Sequence, residues 1–313
     1  MSASARAPVI STIGVVSWDE IYLLDHYPHE GNFALISDSF TGPGGTTGNL
    51  AMGARRLGAQ VSLVASIGRD ERGNRIMDCL QTAGIDTGGC LRHDGETDLS
   101  IMLVSSGTAE RTILWKQAPT IKRRDRMDID ALFRADLTVI DCVNYELRKF
   151  LTDLPAHTRP AARLLGTLTY LADVVADDKL EIALRHDILI GNEREYRQLV
   201  GCDDADDCLQ TVASAMSGTT LRLAVMTCGE RGSVAITRDQ AVRVPARRVA
   251  AADATGAGDA FAGALAVAQA LRWDIEQSLT LANAVASLVV TAIGAQTALP
   301  TMAEAITAAG LAP

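Results

Sequence analysis

Residues 249–263, VAAADATGAGDAFAG, join a short flexible loop to a strongly apolar helical run, and a carboxylate stands on either side of the glycines. Gly256 and Gly258 allow a tight turn with several backbone N–H groups pointing one way. If a helix begins at Gly258 or Asp259, these groups lie at the positive end of its dipole, which favours a bound phosphate. Asp259 is then either a base beside a reacting phosphoryl group or a helix cap.

The composition narrows the class of protein. The length of 313 residues allows one large α/β domain or one domain with a small appendage. With 48% apolar and 21% charged residues, we expect a sizeable core. A net charge of −9 argues against nucleic-acid binding. We expect no membrane segment and no signal peptide, because no apolar run is long enough. The six cysteines form no Cys-x-x-Cys pair, so we expect reduced thiols, no structural zinc and a cytoplasmic location.

Buried strands alternate with helices along most of the chain. The candidate strands are runs rich in Val, Ile and Leu, at residues 9–17, 61–67, 137–142, 187–190 and 221–226. Helical patterns follow most of them, at residues 50–58, 74–83, 180–185, 193–199, 260–271 and 279–293. This order is typical of a mostly parallel sheet covered by helices. Residues 163–175 show the least readable pattern.

Two segments interrupt this alternation. Residues 97–104 and 111–116 have the pattern of two strands joined by a turn at 105–110. Together with residues 21–40 they predict a small β-sheet that projects from the main domain. This sheet is either a lid over a binding site or a plain surface hairpin. Its edges are open to pairing with a second subunit, so a homodimer through this sheet is a further expectation.

Polar residues follow several strands, at the edge where open α/β sheets bind ligands. Asp19 follows the first strand and is either a ligand contact or a turn residue. Gly44 and Gly45 allow a ligand to approach the backbone, and Asn49 offers its amide at a helix start. The glycines do not keep the dinucleotide-binding spacing. No Gly-Lys dipeptide occurs, which excludes a P-loop.

Four motifs, taken in order, resemble those of the ribokinase-like carbohydrate kinases, or pfkB family. They are the glycine-rich stretch 44–51 with Arg-Leu-Gly-Ala at 56–59, the Asn-x-x-Glu motif at 192–195, the turn 227–233 and the stretch 253–259. The resemblance covers nearly the whole chain. It implies a single domain over residues 1–313, a three-layer α/β/α sandwich with a mostly parallel central sheet. Lid segments at about 18–40 and 96–117 would project from it as a small β-sheet.

The resemblance also implies an activity, that of an ATP-dependent kinase that phosphorylates a hydroxyl of a ketose, pentose or related small sugar. Asp259 would be the base, and the turn of Gly256, Ala257 and Gly258 would form the anion hole. The sugar would contact Asp19, Gly44, Gly45 and Asn49. The residues implied for ATP are Asn192, Thr227, Gly229, Gly232 and Asn283. Glu195, with Asn192, would hold Mg²⁺ through water, and Asp253 and Thr255 would flank K⁺ in members that need a monovalent cation.

The chain departs from the family pattern at several positions. Thr46 stands where ribokinases proper carry Lys, and residues 137–144 offer no Glu where they carry one, which argues against a ribokinase proper. Ala298 replaces a Ser that often accompanies cation activation, so that activation stays open. One alternative is a nucleoside kinase, with the base against Trp18, Phe33, Phe40 or Trp115. The other is a catalytically silent sugar-binding or regulatory protein, against which Asp259 and the intact glycine turn speak.

Overall fold

The computed structural model describes residues 6–105, 111–158 and 162–312. The strands in this part of the chain are Val9–Gly14 (β1), Ser17–Leu24 (β2), Ile36–Gly44 (β3), Gln60–Gly68 (β4), Leu91–His93 (β5), Leu99–Ser105 (β6), Arg111–Lys116 (β7), Leu137–Asp141 (β8), Leu164–Thr167 (β9), Ile188–Asn192 (β10), Leu223–Thr227 (β11), Ser233–Ile236 (β12) and Ala241–Val244 (β13). The α-helices are Thr46–Arg56 (α1), Glu71–Thr82 (α2), Ile129–Leu132 (α3), Tyr145–Thr158 (α4), Lys179–Leu184 (α5), Glu193–Val200 (α6), Ala205–Ala215 (α7), Ala257–Ala270 (α8), Ile275–Val289 (α9) and Met302–Ala309 (α10).

A nine-stranded sheet forms the centre of the molecule, in the order β13-β12-β11-β10-β9-β8-β1-β4-β5. Its strands pair in parallel from β11 to β5, and β12 and β13 continue the sheet as an antiparallel hairpin. The predicted mostly parallel α/β sheet is therefore confirmed. Its parallel strands bring their carboxyl ends to one edge.

Helices cover both faces of this sheet, because successive residues of a buried strand point to opposite sides. In β10, Ile188 and Ile190 pack into the core that contains α1, α8 and α9. Leu189, between them, packs into a separate core with α6 and α7. The continuous apolar runs of these strands follow from this burial on two faces, and the predicted three-layer sandwich is confirmed.

A second sheet of four strands, in the order β3-β2-β6-β7, lies apart from the central one. In this lid sheet β2 pairs antiparallel with β3 and parallel with β6, and β6 pairs antiparallel with β7. The predicted small sheet and its strands are thus present. The turn predicted at 105–110 lies, from residue 106 on, outside the described residues.

Residues 163–175, which showed no readable pattern, contain β9, a four-residue strand in the middle of the central sheet. The expectation that all cysteines are reduced is wrong at one pair, since Cys202 and Cys208 form a disulfide. The turn before α7 brings their Cα atoms to 5.9 Å, within the range that a disulfide spans.

Candidate active site

A cavity of about 830 Å³ lies between the carboxyl edge of the central sheet and the lid sheet. Four strand ends contribute residues to it, namely Asp141 of β8, Thr167 of β9, Asn192 of β10 and Thr227 of β11. Helix starts and the lid supply other parts of its lining, among them Thr46, Asn49, Gly258, Asp259, Asp19, Met102 and Trp115. The volume is that of a small-molecule site.

The glycine turn of residues 253–259 opens α8 at one side of this cavity. Gly256 is the N-cap and has φ 75, and a Cβ there would lie 2.4 Å from the Cβ of Ala295. Only glycine fits this position. The backbone N–H groups of Gly258 and Asp259 belong to the first helical turn, so they have no acceptor within the helix. A Cβ at Gly258 would meet nothing within 4 Å, which leaves this turn accessible to an anion.

Asp253 holds the turn in shape. Its Oδ1 accepts hydrogen bonds from the backbone N–H of Thr255 (2.9 Å) and from the Thr255 hydroxyl (2.6 Å), and its Oδ2 accepts from the N–H of Gly294 (2.9 Å). These contacts tie the turn to the segment that follows α9. Asp253 therefore shapes this loop. Its expected place beside a monovalent cation stays a prediction.

Asp259 projects from the first turn of α8 and is half-buried. Its Oδ2 accepts a hydrogen bond of 2.8 Å from the Asn49 side-chain amide, and the Asn49 oxygen accepts one of 2.9 Å from Gln296. Burial raises the pKa of Asp259 to about 7, and the nearby carboxylates of Asp141 and Asp19 add to the rise. A carboxyl group with such a pKa can take up a proton near neutral pH.

Asp19 faces the same cavity from the lid sheet. Burial raises its pKa to about 6, while the Ser17 hydroxyl, which donates a 2.7 Å hydrogen bond to Oδ1, opposes the rise. Gly44 lies against this carboxylate, since a Cβ on Gly44 would fall 1.9 Å from Asp19 Oδ2. Gly45, the N-cap of α1, lines the cavity directly. The structure therefore brings Asp19, Gly45, Asn49 and Asp259 together.

The family model described as pfkB family carbohydrate kinase matches residues 13–302 of this chain. The chain belongs to that family. This pfkB kinase is accordingly an ATP-dependent phosphotransferase, as its sequence motifs predicted.

Individual relatives match this pfkB kinase along nearly its whole length. The ribokinase of Bacillus subtilis (strain 168) is 30% identical over 314 residues, which cover 94% of this chain and 97% of the relative. Fructokinase-1 of Zea mays is 27% identical over 319 residues, which cover 93% and 96%. The solved structure of Arabidopsis thaliana ribokinase complexed with ribose and ATP superposes with a TM-score of 0.82 at 20% identity, covering 98% and 100%. The chain is thus a sugar or nucleoside kinase of the ribokinase-like fold.

The Asn-x-x-Glu motif of this pfkB kinase begins α6 at the cavity edge. Asn192 Oδ1 accepts a hydrogen bond from the N–H of Glu195, and Glu195 Oε2 accepts one from the N–H of Asn192, each of 2.9 Å. These two hydrogen bonds form a capping box, and both side chains also line the cavity. Burial raises the pKa of Glu195, because the charged carboxylate loses contact with water. A nearby cation would stabilise that charge.

The residues expected at the nucleotide divide into two groups. Thr227 and Gly229 line the cavity where β11 ends. Gly232 and Asn283 are not among its lining residues. Gly232 closes the short 3₁₀ turn by accepting a 2.8 Å hydrogen bond from the N–H of Cys228. The Asn283 amide donates to the Ser233 hydroxyl and to the Val244 carbonyl, each at 3.0 Å, so it ties the β12–β13 hairpin to α9.

Asp141 is a site residue that the sequence analysis missed. It is fully buried at the end of β8, and its oxygens accept hydrogen bonds from the hydroxyls of Thr46, Thr47 and Thr167. Burial raises its pKa, and the three hydroxyls oppose the rise. The signal was available, because an acid at the carboxyl end of a buried strand had already singled out Asp19.

Tyr170 is a second missed residue, and it comes from the unreadable segment 163–175. It lines the cavity just after β9, and its ring lies 5.9 Å from that of Trp115, centroid to centroid. Of the four aromatic residues considered for a nucleoside base, Trp115 is the one found in the lining of the cavity. Trp18 is buried in the core below Arg75, and Phe33 is 81% exposed.

Among the described residues, no three or more His, Cys, Asp or Glu side chains are grouped to hold a metal ion. None of the helices in the described ranges is long and apolar enough to cross a membrane.

Proposed function

We propose that this kinase transfers the γ-phosphoryl group of ATP to a hydroxyl of a small sugar, with Asp259 as the base. One observation carries the proposal. A carboxylate with a pKa of about 7, held by Asn49, stands beside the N-terminus of α8 in one cavity. A proton acceptor and a phosphate-binding helix end are the two parts that phosphoryl transfer to a hydroxyl requires.

The reaction then proceeds as follows. Asp259 takes the proton of the acceptor hydroxyl as its oxygen attacks the γ-phosphorus, and the bond from that phosphorus to the β–γ bridging oxygen breaks to release ADP. The N–H groups of Gly258 and Asp259 stabilise the charge that develops on the transferred group, whereas the N–H of Ala257 donates to the Ala254 carbonyl (3.4 Å). Asp19 and Asn49 bind other sugar hydroxyls, since a carboxylate accepts and an amide both donates and accepts.

The other residues that line the cavity indicate where the nucleotide binds. Thr227 and Gly229 contact the nucleotide, while Gly232 and Asn283 support that loop from behind. When bound, Mg²⁺ neutralises phosphate charge, and Asn192 and Glu195 fit the water shell that this ion keeps. The lack of a grouped carboxylate cage in the described residues is consistent with an ion held chiefly by phosphates and water. Asp253 and Thr255 would flank a monovalent cation.

A panel of acceptors tests the proposal. ADP release is measured with D-fructose, D-ribose, 2-deoxy-D-ribose and adenosine, each with ATP and Mg²⁺. We expect turnover of at least one sugar. Adenosine as the single acceptor would replace the proposal by a nucleoside kinase. Absence of turnover with every compound, together with a sugar-induced rise in melting temperature, would identify a silent sugar-binding protein.

Asp259→Asn tests the base. The rate should fall by about 10²- to 10⁴-fold while ATP still raises the melting temperature.

The pKa of Asp259 is raised in the folded protein, so its ionised form destabilises the fold above pH 7. At pH 8 the variant should therefore melt at the same temperature as the wild type or at a higher one. This difference in melting temperature should vanish in acid, below the pKa that Asp259 has in the unfolded chain. Undiminished turnover would refute the assignment.

A further inference from the structure

An aromatic pair connects the lid sheet to the body of the molecule beside the proposed acceptor site. Trp115 belongs to β7 of the lid, and Tyr170 follows β9 of the central sheet. Their ring centroids are 5.9 Å apart with an interplanar angle of 35°, and both residues line the cavity. The pair therefore forms a wall of the cavity.

Trp115 is held in a defined position on the inner face of the lid. Ser100 of β6 lies directly opposite both Asp19 of β2 and Trp115 of β7, so the three side chains share one face of the sheet. The indole N–H donates a 3.1 Å hydrogen bond to Asp98 Oδ1, which also accepts one of 2.7 Å from the N–H of Ala118. These contacts fix the indole ring at the cavity, although it is still 40% exposed.

Tyr170 is positioned by the start of α1. Its hydroxyl oxygen lies 3.3 Å from Thr46 Oγ1, and Thr46 also contacts the buried carboxylate of Asp141. The Thr46 hydroxyl is the donor in both contacts, so the Tyr170 oxygen accepts from it. The phenolic proton of Tyr170 is left for another acceptor. Thr46 here takes the place of the lysine expected of a ribokinase proper.

This arrangement determines which part of an acceptor meets the wall. Thr46 and Asn49 are three residues apart on α1, so they are neighbours on one helix face, with Cβ atoms about 5–6 Å apart. Asn49 in turn binds Asp259. Tyr170 lines the same cavity as Asp259, and the Asp259 charge adds to the rise in the pKa of Tyr170. An acceptor whose hydroxyl meets Asp259 therefore has its ring near Tyr170.

We propose that Tyr170 and Trp115 determine acceptor specificity by packing against the apolar C–H face of a neutral monosaccharide ring. The Tyr170 hydroxyl donates a hydrogen bond to one of the sugar oxygens. This inference rests on the proposed sugar kinase function. A neutral sugar suits the site because Asp19, Asp141 and Asp259 surround it, and these carboxylates repel an anionic substituent. Arg111 of the lid offsets part of this negative charge.

Steady-state kinetics with D-fructose and D-ribose test the wall. The variants are Tyr170→Phe, Tyr170→Leu and Trp115→Leu, with Tyr145→Phe as the control. Tyr145 also donates its hydroxyl to a carboxylate, that of Asp178, and it is not among the residues lining the cavity. We expect Tyr170→Phe to raise the sugar KM by about 2- to 10-fold, as for one lost hydrogen bond. Both leucine variants should raise it by on the order of tenfold or more, with kcat and the KM for ATP little changed.

The outcomes separate this inference from the proposed function. If the sugar KM is unchanged in both leucine variants, the aromatic pair does not contact the sugar, and the proposed sugar kinase function is unaffected. If the wild type turns over none of D-fructose, D-ribose and 2-deoxy-D-ribose, the proposed function fails. In that case a binding measurement tests whether Trp115 and Tyr170 contact the sugar. The quantity measured is the rise in melting temperature that each sugar causes together with a non-hydrolysable ATP analogue. Loss of that rise in the leucine variants supports the contact, whereas a rise with adenosine or fructose 6-phosphate in place of the neutral sugars overturns it.

Discussion

Asp259 owes its character to opposing charges within one cavity. Its surroundings remove water and hold Asp141 and Asp19 nearby, and all three effects favour the protonated form. The Asn49 amide and the Arg111 guanidinium favour the carboxylate. Burial is the largest of these effects, and the pKa rises to about 7. The free carboxylate would be a weak base, and the raised pKa makes it a better one at neutral pH.

The pH dependence of the reaction tests this balance. The base must be deprotonated, so kcat/KM should fall about tenfold per pH unit below a pKa near 7. Arg111→Gln should move this acid limb to higher pH, because it removes a positive charge that favours the carboxylate. Arg111→Lys keeps the charge and is the control. An acid limb of the wild-type kcat/KM profile that lies near the pKa of a solvated aspartate would contradict a raised pKa of Asp259.

The proposed chemistry depends on the start of α8. Its two glycines, Gly256 and Gly258, are required for different reasons. Gly256 has positive φ and abuts Ala295, so Gly256→Ala should destabilise the fold, by about 1–3 kcal/mol, as well as lower activity. Gly258 has open space at its Cβ, so Gly258→Ala should keep the melting temperature and lower activity by narrowing the anion site. Melting curves and kcat measured on both variants check this. A destabilised Gly258→Ala protein would be the contrary result.

The capping box of α6 permits a matched comparison with α10. Thr301 and Glu304 form the same motif at the start of α10, where Glu304 is exposed. Glu195→Gln keeps an oxygen for the Asn192 N–H but removes the charge, so the Mg²⁺ concentration for half-maximal activity should rise. Mg²⁺ should also add less to the melting temperature of the ATP complex. Glu304→Gln should leave both quantities unchanged, and equal effects of the two substitutions would argue against a cation role for Glu195.

At the scale of the whole molecule, the lid is anchored to the body at the start of β2 and β6, where Trp18 and Leu99 are buried in the main core. Beyond this base, Met102 Sδ lies 3.8 Å from the Thr255 hydroxyl, and Ile293 packs on the small lid core of Ile21, Met102 and Val104. The small size of this outer core permits the outer part of the lid to open at low cost. The lid edges also carry exposed apolar residues such as Ile36 and Leu114. Self-association through this sheet therefore remains a proposal, which sedimentation can measure.

Hydrogen exchange tests the closing of the lid. Amides of β6 and β7 should exchange more slowly when the sugar and a non-hydrolysable ATP analogue are both bound, because the lid then spends less time open. Amides of β4, a central strand, serve as the control and should not change. Equal protection of β6 and β7 with and without the two ligands would identify the lid sheet as a plain surface hairpin.

Much of the site could be predicted because its motifs are local. The turn of residues 253–259 and the box of residues 192–195 are short, and the chemistry of each follows from neighbouring residues. Asp141 and Tyr170 could not be assigned this way. Their roles depend on hydroxyls and rings from segments dozens of positions away, as with Thr46 and Asp141, 95 residues apart.

By itself, the sequence determined the family, the mostly parallel sheet and the position of the phosphate-binding turn, because apolar periodicity and glycine turns act over a few residues. Only the tertiary structure decided what surrounds Asp259. The parallel strands bring Asp141 and Thr167 to one edge, and the register of the lid sheet sets Trp115 in line with Asp19. Burial, which raises the pKa of Asp259 to about 7, is a property of that assembled cavity and not of any segment alone.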